Sequence, residues 1–166
     1  MIDLPIARSI SQLFVNAAND NVTEIHLLLQ SPGGAVNEGV FLYDFIKSFP
    51  VDVLAYNCGH VGSAAVSAYL GAKKRFVSPN GTFLVHRTYP AAGNVGAVPK
   101  MQSIVSALKI EDARTESILR GSVNMTDAQW AIFEHNDLTI DAEAAIRTGF
   151  AHEMSSFSPA GPMYVV

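Results

Sequence analysis

Cysteine is nearly missing from this chain: Cys58 stands alone in 166 residues, so no intrachain disulfide is available and a stapled secreted scaffold does not fit. Charge is scarce too. Asp, Glu, Lys and Arg make up 16% of the residues, with 11 basic against 15 acidic and a net charge of −4. There is no basic run, which argues against nucleic-acid binding driven by phosphate neutralisation. No apolar run approaches the roughly 18 residues of a membrane span. The start, Met1-Ile2-Asp3-Leu4-Pro5, lacks the basic-then-apolar layout of a signal peptide. Internal repeats and low-complexity tracts are absent as well. The expectation is a soluble, cytoplasmic chain that engages neither membrane nor nucleic acid.

What is present is apolar: 49% of the residues, with a mean hydropathy of +0.22. A chain of this length folds as one domain, here residues 1–166, and buries about two-thirds of its unfolded surface. So few charges leave apolar surface for another copy to cover, which predicts a homo-oligomer. Cys58 reads as a small buried residue beside Gly59.

The first half alternates helix and strand. Apolar residues at helical spacing run from Ile6 to Ala18 and stop at Asn19-Asp20-Asn21. Ile25 to Leu29 is a short apolar run, predicting a parallel strand buried on both faces. Ser31-Pro32-Gly33-Gly34 breaks it. Val36 to Phe49 is helical and Val51 to Tyr56 is a strand. Asn57 to Gly62 is read as a turn before a small-residue helix from Ser63 to Leu70. Arg75 to Val77 and Thr82 to His86 flank a Pro79-Asn80-Gly81 turn. This is an α/β core with mostly parallel strands. Residues 91–97 are small and flexible in composition. Helices follow from Pro99 to about Leu119, from Thr126 (cap) to Phe133 with Trp130 as anchor, and from Asp141 to Gly149.

Three features could carry chemistry. Gly59-His60-Val61-Gly62-Ser63-Ala64 is a glycine-punctuated strand-to-helix turn. Such a turn can expose a serine nucleophile and aim the next backbone N–H groups at one spot. Equally, Ser63 could be an ordinary helix cap. Gly33-Gly34 also follows a strand, where paired glycines let backbone amides approach a ligand; the alternative is a plain tight turn. If both strands are parallel and adjacent, both turns lie at one sheet edge, where α/β sites form. His86, ending Phe83-Leu84-Val85, is the best placed of five histidines to take a serine proton. His26 reads as a core or interface group, His60 as a turn residue, and His135 and His152 as surface positions. No metal-ligand pair such as His-Glu-x-x-His occurs. The carboxylate that would orient the base stays open among Asp112, Asp127, Asp137 and Asp141. Asp137, in a loop between two helices, is the freest to point back at the sheet.

Together these residues resemble the proteolytic subunit of the Clp protease. The similarity is carried by Ile25 to Gly34 with Gly39 and Tyr43-Asp44, then Gly59-x-x-x-Ser63, then Lys74-Arg75-Phe76-x-x-Pro79-Asn80. It continues through Phe83-Leu84-Val85-His86 and Asp137 to Ala145, and ends at Thr148-Gly149-Phe150. The resemblance implies a crotonase-like βαβ spiral, with a protruding helical handle at about residues 90–120 that packs subunits into rings. It implies Ser63 as nucleophile, His86 as general base, Asp137 as orienting carboxylate, and the Gly34 and Ala64 amides as oxyanion hole. The activity implied is serine endopeptidase, without cofactor or metal, on peptides or unfolded protein. An ATP-dependent unfoldase would be a separate partner, since the chain has no Gly-x-x-x-x-Gly-Lys-Ser/Thr loop. Two other readings are a catalytically silent ring or adaptor subunit and a crotonase-type acyl-CoA enzyme.

The sequence departs from that pattern in three places. It begins at what resembles the family's first helix, leading to the expectation that the axial loops for ATPase docking are missing. The charged pair before the catalytic Asp is His135-Asn136, and the segment after His86 is Arg87-Thr88-Tyr89-Pro90 rather than Gln-Pro.

Overall fold

The computed structural model describes residues 1–90 and 98–158; the flexible stretch expected at 91–97 lies outside them. The chain opens with α1 (Leu4–Asn19), capped by the Asp3 carboxylate, which accepts from the Ile6 N–H. There follow β1 (Glu24–Ser31), α2 (Val36–Ser48), β2 (Asp52–Gly62), α3 (Ala64–Leu70), β3 (Lys74–Val77) and β4 (Thr82–Val85). The second half holds α4 (Val98–Ser122), α5 (Asp127–His135), β5 (Leu138–Ile140), α6 (Ala142–Thr148) and β6 (Glu153–Met154).

β2 is the spine of the sheet. Its whole length runs parallel to β1. On its other side, Leu54–Asn57 pair with β3 and His60–Gly62 pair with β4, both parallel. β6 adds to β3 in parallel, and β5 closes the far edge antiparallel to β4. Two short strands thus follow one another along one bent strand, and the chain winds as an α/β spiral.

The bend corrects the turn expected at Asn57 to Gly62, which is strand throughout. β1 advances from Leu29 to Ser31 while β2 advances from Asn57 to Val61, so the extra residues bulge. Asn57, 0% exposed, holds the bulge: its amide nitrogen donates to the Thr82 carbonyl at 2.9 Å and its Oδ1 accepts from the Gly59 N–H at 3.1 Å. Cys58, within the bulge, is half-buried rather than buried.

A second correction concerns β1. Buried and exposed residues alternate along it, and Leu28 is 43% exposed. β1 pairs only with β2, so its outer face and edge have no cover within the chain.

α2 and α3 pack through glycine: a Cβ on Gly39 would come within 2.5 Å of the Ala64 carbonyl. All seven residues of α3 are buried, which explains its small side chains. The buried Arg75 guanidinium ties β3 to the end of α6, donating to the carbonyls of Phe150 at 2.9 Å and Gly149 at 3.0 Å. α5 carries a capping box between Thr126 and Gln129. Trp130 lies edge-on to the buried Phe133 and under the Arg120 guanidinium. α4 is longer than expected and buries only Ile118 and Leu119, near its end. Its earlier turns leave Met101, Val105 and Ile110 exposed, as a projecting handle does. Among the described residues no helix is long and apolar enough to cross a membrane.

Candidate active site

Ser63 is the single residue between the end of β2 and the start of α3. Its backbone sits at φ +51°, ψ −128°, near the first corner of a type II′ turn. A non-glycine residue there costs roughly 1–3 kcal/mol and must be held by its surroundings. Here its N–H donates to the Leu84 carbonyl at 2.8 Å and its carbonyl accepts from the Val66 N–H at 2.9 Å. The Ser63 hydroxyl makes no capping bond, so the helix-cap reading is set aside. Ala64, the first residue of α3, has no helical carbonyl for its own N–H.

The glycine loop after β1 is pressed against this turn. Gly33 has φ +106°, and a Cβ on it would lie 2.6 Å from the Ser63 Cβ and 2.7 Å from the Gly62 carbonyl oxygen. Only glycine fits. The chain start clasps the loop from outside: the Ile2 N–H donates to the Gly33 carbonyl at 2.8 Å, and the Ile2 carbonyl accepts from Ala35 at 2.9 Å. A Cβ on Gly34 would meet that Ile2 carbonyl oxygen at 2.0 Å.

These turns open onto a cleft of about 140 Å³ lined by Gly34, Ser63, Ala64 and His86. Four of the five expected site residues therefore meet in one place. Thr88 and Tyr89 after β4, Thr115 and Leu119 from α4, and Phe133 from α5 complete the wall. Sequence reasoning did not find these, because their approach depends on how α4 and α5 fold back.

His86 directs Nδ1 at the Arg87 carbonyl, 2.6 Å away. A carbonyl oxygen only accepts, so Nδ1 carries the proton and Nε2 of the neutral ring is left as an acceptor. That is the tautomer a general base needs. Asp137 lies between α5 and β5, not in a loop between two helices. Its Oδ1 accepts from the Tyr89 hydroxyl at 2.7 Å. The Tyr89 ring in turn stacks on the His86 imidazole, centroids 4.7 Å apart and 12° from parallel. The carboxylate thus reaches the histidine's neighbourhood through Tyr89. The hydrogen bond to Asp137 raises the Tyr89 pKa, keeping its phenol protonated.

Arg87 pins this segment. Its guanidinium donates to Glu116 of α4 at 2.7 Å and to Glu134 of α5, and lies over the Phe133 ring. The next residue's N–H, on Thr88, donates to the Asp112 carboxylate at 2.7 Å. Of the other carboxylates considered, Asp127 sits in the first turn of α5 and Asp141 caps α6 through the Ala144 N–H. The remaining histidines lie outside the cleft lining. His26 contacts Glu24 and Tyr56, and His60 contacts Thr82. His135 and His152 are exposed, as expected.

Residues 2–156 match a family model described as Clp protease. The chain is 31% identical over 147 residues to the ATP-dependent Clp protease proteolytic subunit of Lactococcus lactis subsp. cremoris, covering 87% of this chain and 74% of that one. Identity to the subunit of the same name from Streptococcus mutans is 31% over 149 residues, with 87% and 75% covered. The fold is similar to that of a ClpP1 mutant from Listeria monocytogenes, with a TM-score of 0.71 at 22% identity, over 94% of this chain and 87% of that one.

Proposed function

The chain belongs to the Clp protease family, and from that premise we propose that it is a serine endopeptidase whose nucleophile is Ser63. The observation that carries the reading is the backbone of Ser63. A non-glycine residue held at φ +51° at the mouth of a cleft, with its hydroxyl unused as a cap, keeps that hydroxyl for another task.

In this reading the Ser63 Oγ attacks a peptide carbonyl while its proton passes to Nε2 of His86. The tetrahedral oxyanion is stabilised by the backbone N–H groups of Gly34 and Ala64. His86 then returns the proton to the leaving amine, and an acyl group remains on Ser63. Water, activated by the same imidazole, hydrolyses that ester. Asp137 supports the imidazolium electrostatically. All 166 residues form one peptidase unit, and the units assemble into a ring through the exposed turns of α4. Peptides or unfolded segments are the substrates, delivered in the cell by a separate ATP-hydrolysing chain. The test is hydrolysis of a short fluorogenic peptide by the assembled protein. Turnover that falls ~10³-fold or more in Ser63→Ala is the expected result. Turnover unchanged by that substitution would refute it.

A further inference from the structure

We propose that Tyr89 is a positioning residue for His86, and that Asp137 acts on the imidazole through Tyr89 rather than by a hydrogen bond of its own. The inference rests on the serine-peptidase reading and names a device within that site.

Three contacts carry it. The Nδ1 proton of His86, which an orienting carboxylate would otherwise accept, is already taken by the Arg87 carbonyl at 2.6 Å. The face of the imidazole is covered by the Tyr89 ring, 4.7 Å away and within 12° of parallel. The phenol of that ring donates to Asp137 Oδ1 at 2.7 Å, so ring and carboxylate form one unit. A phenol hydrogen-bonded to a carboxylate is richer in electrons than a free one. Its π-face therefore attracts the imidazolium that forms when Ser63 gives up its proton. Tyr89 transfers no proton; it holds the ring plane and favours the charged state.

The backbone on either side of the device is fixed. Arg87 is bound by Glu116 and Glu134, and the Thr88 N–H by Asp112. The charges facing His86 and Tyr89 from the packed elements are thus Asp112 and Glu116 of α4, Glu134 of α5, Asp137 and Arg87. Tyr89 is 62% exposed, so substituting it disturbs little packing.

The experiment compares peptide hydrolysis against pH for wild type, Tyr89→Phe, Tyr89→Ala, Asp137→Asn and the Tyr89→Phe/Asp137→Asn double variant, each first checked for fluorophosphonate labelling. Tyr89→Phe should lower kcat roughly tenfold with KM little changed, and the double variant should be no worse than its poorer parent. In Tyr89→Ala the acidic limb of kcat/KM should move to lower pH, because the imidazolium loses its support. A purely structural role would not move that limb. If Tyr89→Phe raises or preserves kcat, or the two losses multiply, Asp137 reaches His86 directly and the proposal is wrong. Wild-type protein that labels nowhere at Ser63 would remove the peptidase reading, and this inference with it.

Discussion

The N–H of Ser63 donates to the carbonyl of Leu84 over 2.8 Å, and this bond places the serine turn two residues from the end of the strand leading into His86. It extends the parallel register in which Gly62 faces Leu84. Nucleophile and base are therefore brought together by sheet geometry rather than by a flexible loop. The same sheet edge receives the glycine loop, because β1 runs parallel to β2 and ends beside Val61. The site is a consequence of where two neighbouring parallel strands stop.

Gly33 is the position most sensitive to a single methyl group. A Cβ there would clash with both the Ser63 Cβ and the Gly62 carbonyl at under 3 Å, at a φ of +106°. Gly33→Ala should cost about 1–3 kcal/mol of stability from backbone strain alone. Displacing the loop should also lower kcat by a further ~10²-fold, by misplacing the oxyanion amides. Chemical denaturation and peptide turnover on the same preparation check both effects. Intact turnover would show that the loop does not serve the site.

The Arg87 clamp predicts a pH dependence. Burial pushes the Glu116 carboxyl up, but hydrogen bonds from Arg87 and Arg120 outweigh it and leave the pKa below the usual value. A carboxylate depressed in the folded state stabilises the fold above its unfolded pKa and loses that contribution as pH falls through the folded value. The wild type should therefore lose Tm relative to Arg87→Gln as pH drops below about 4.3, the ordinary glutamate value. At pH 7 the variant should be the less stable of the two. Thermal melts across that range read the difference. Parallel curves would mean that the clamp contributes nothing through charge.

Assembly is predicted to depend on the early turns of α4. Val105 is 50% exposed, with Met101 one turn before it on the same face. Val105→Arg should convert the assembly to smaller species in sedimentation velocity while the monomer stays folded. An unchanged sedimentation profile would place the contact elsewhere, for instance on the uncovered face of β1.

Much of this was legible in the residues, and the misreadings have physical causes. The period of three to four placed α1, α2 and α5 within a few residues. Asp141 and Gly149 marked both ends of α6, because a cap and a left-handed stop are local chemistry. The strand β2 was cut short because Asn57 and Gly59 are turn residues by preference. Their place in a bulge depends on Thr82, 25 positions away, which sequence periodicity does not reveal. β1 was taken as covered on both faces because apolar runs usually are. Here Leu28 waits for cover from outside the chain. Ser63 and His86 stood out by position after strands, whereas nothing local chose Asp137 over three other aspartates. The part played by Tyr89 was invisible for the same reason: it joins His86 to a carboxylate 48 positions further on.

The central claim is that Ser63 is an activated nucleophile, and a fluorophosphonate probe followed by peptide mapping tests it most directly. A single adduct is expected on Ser63, lost in Ser63→Ala and strongly slowed in His86→Ala. Probe incorporated at another residue, or none into the folded and assembled protein, would contradict the account.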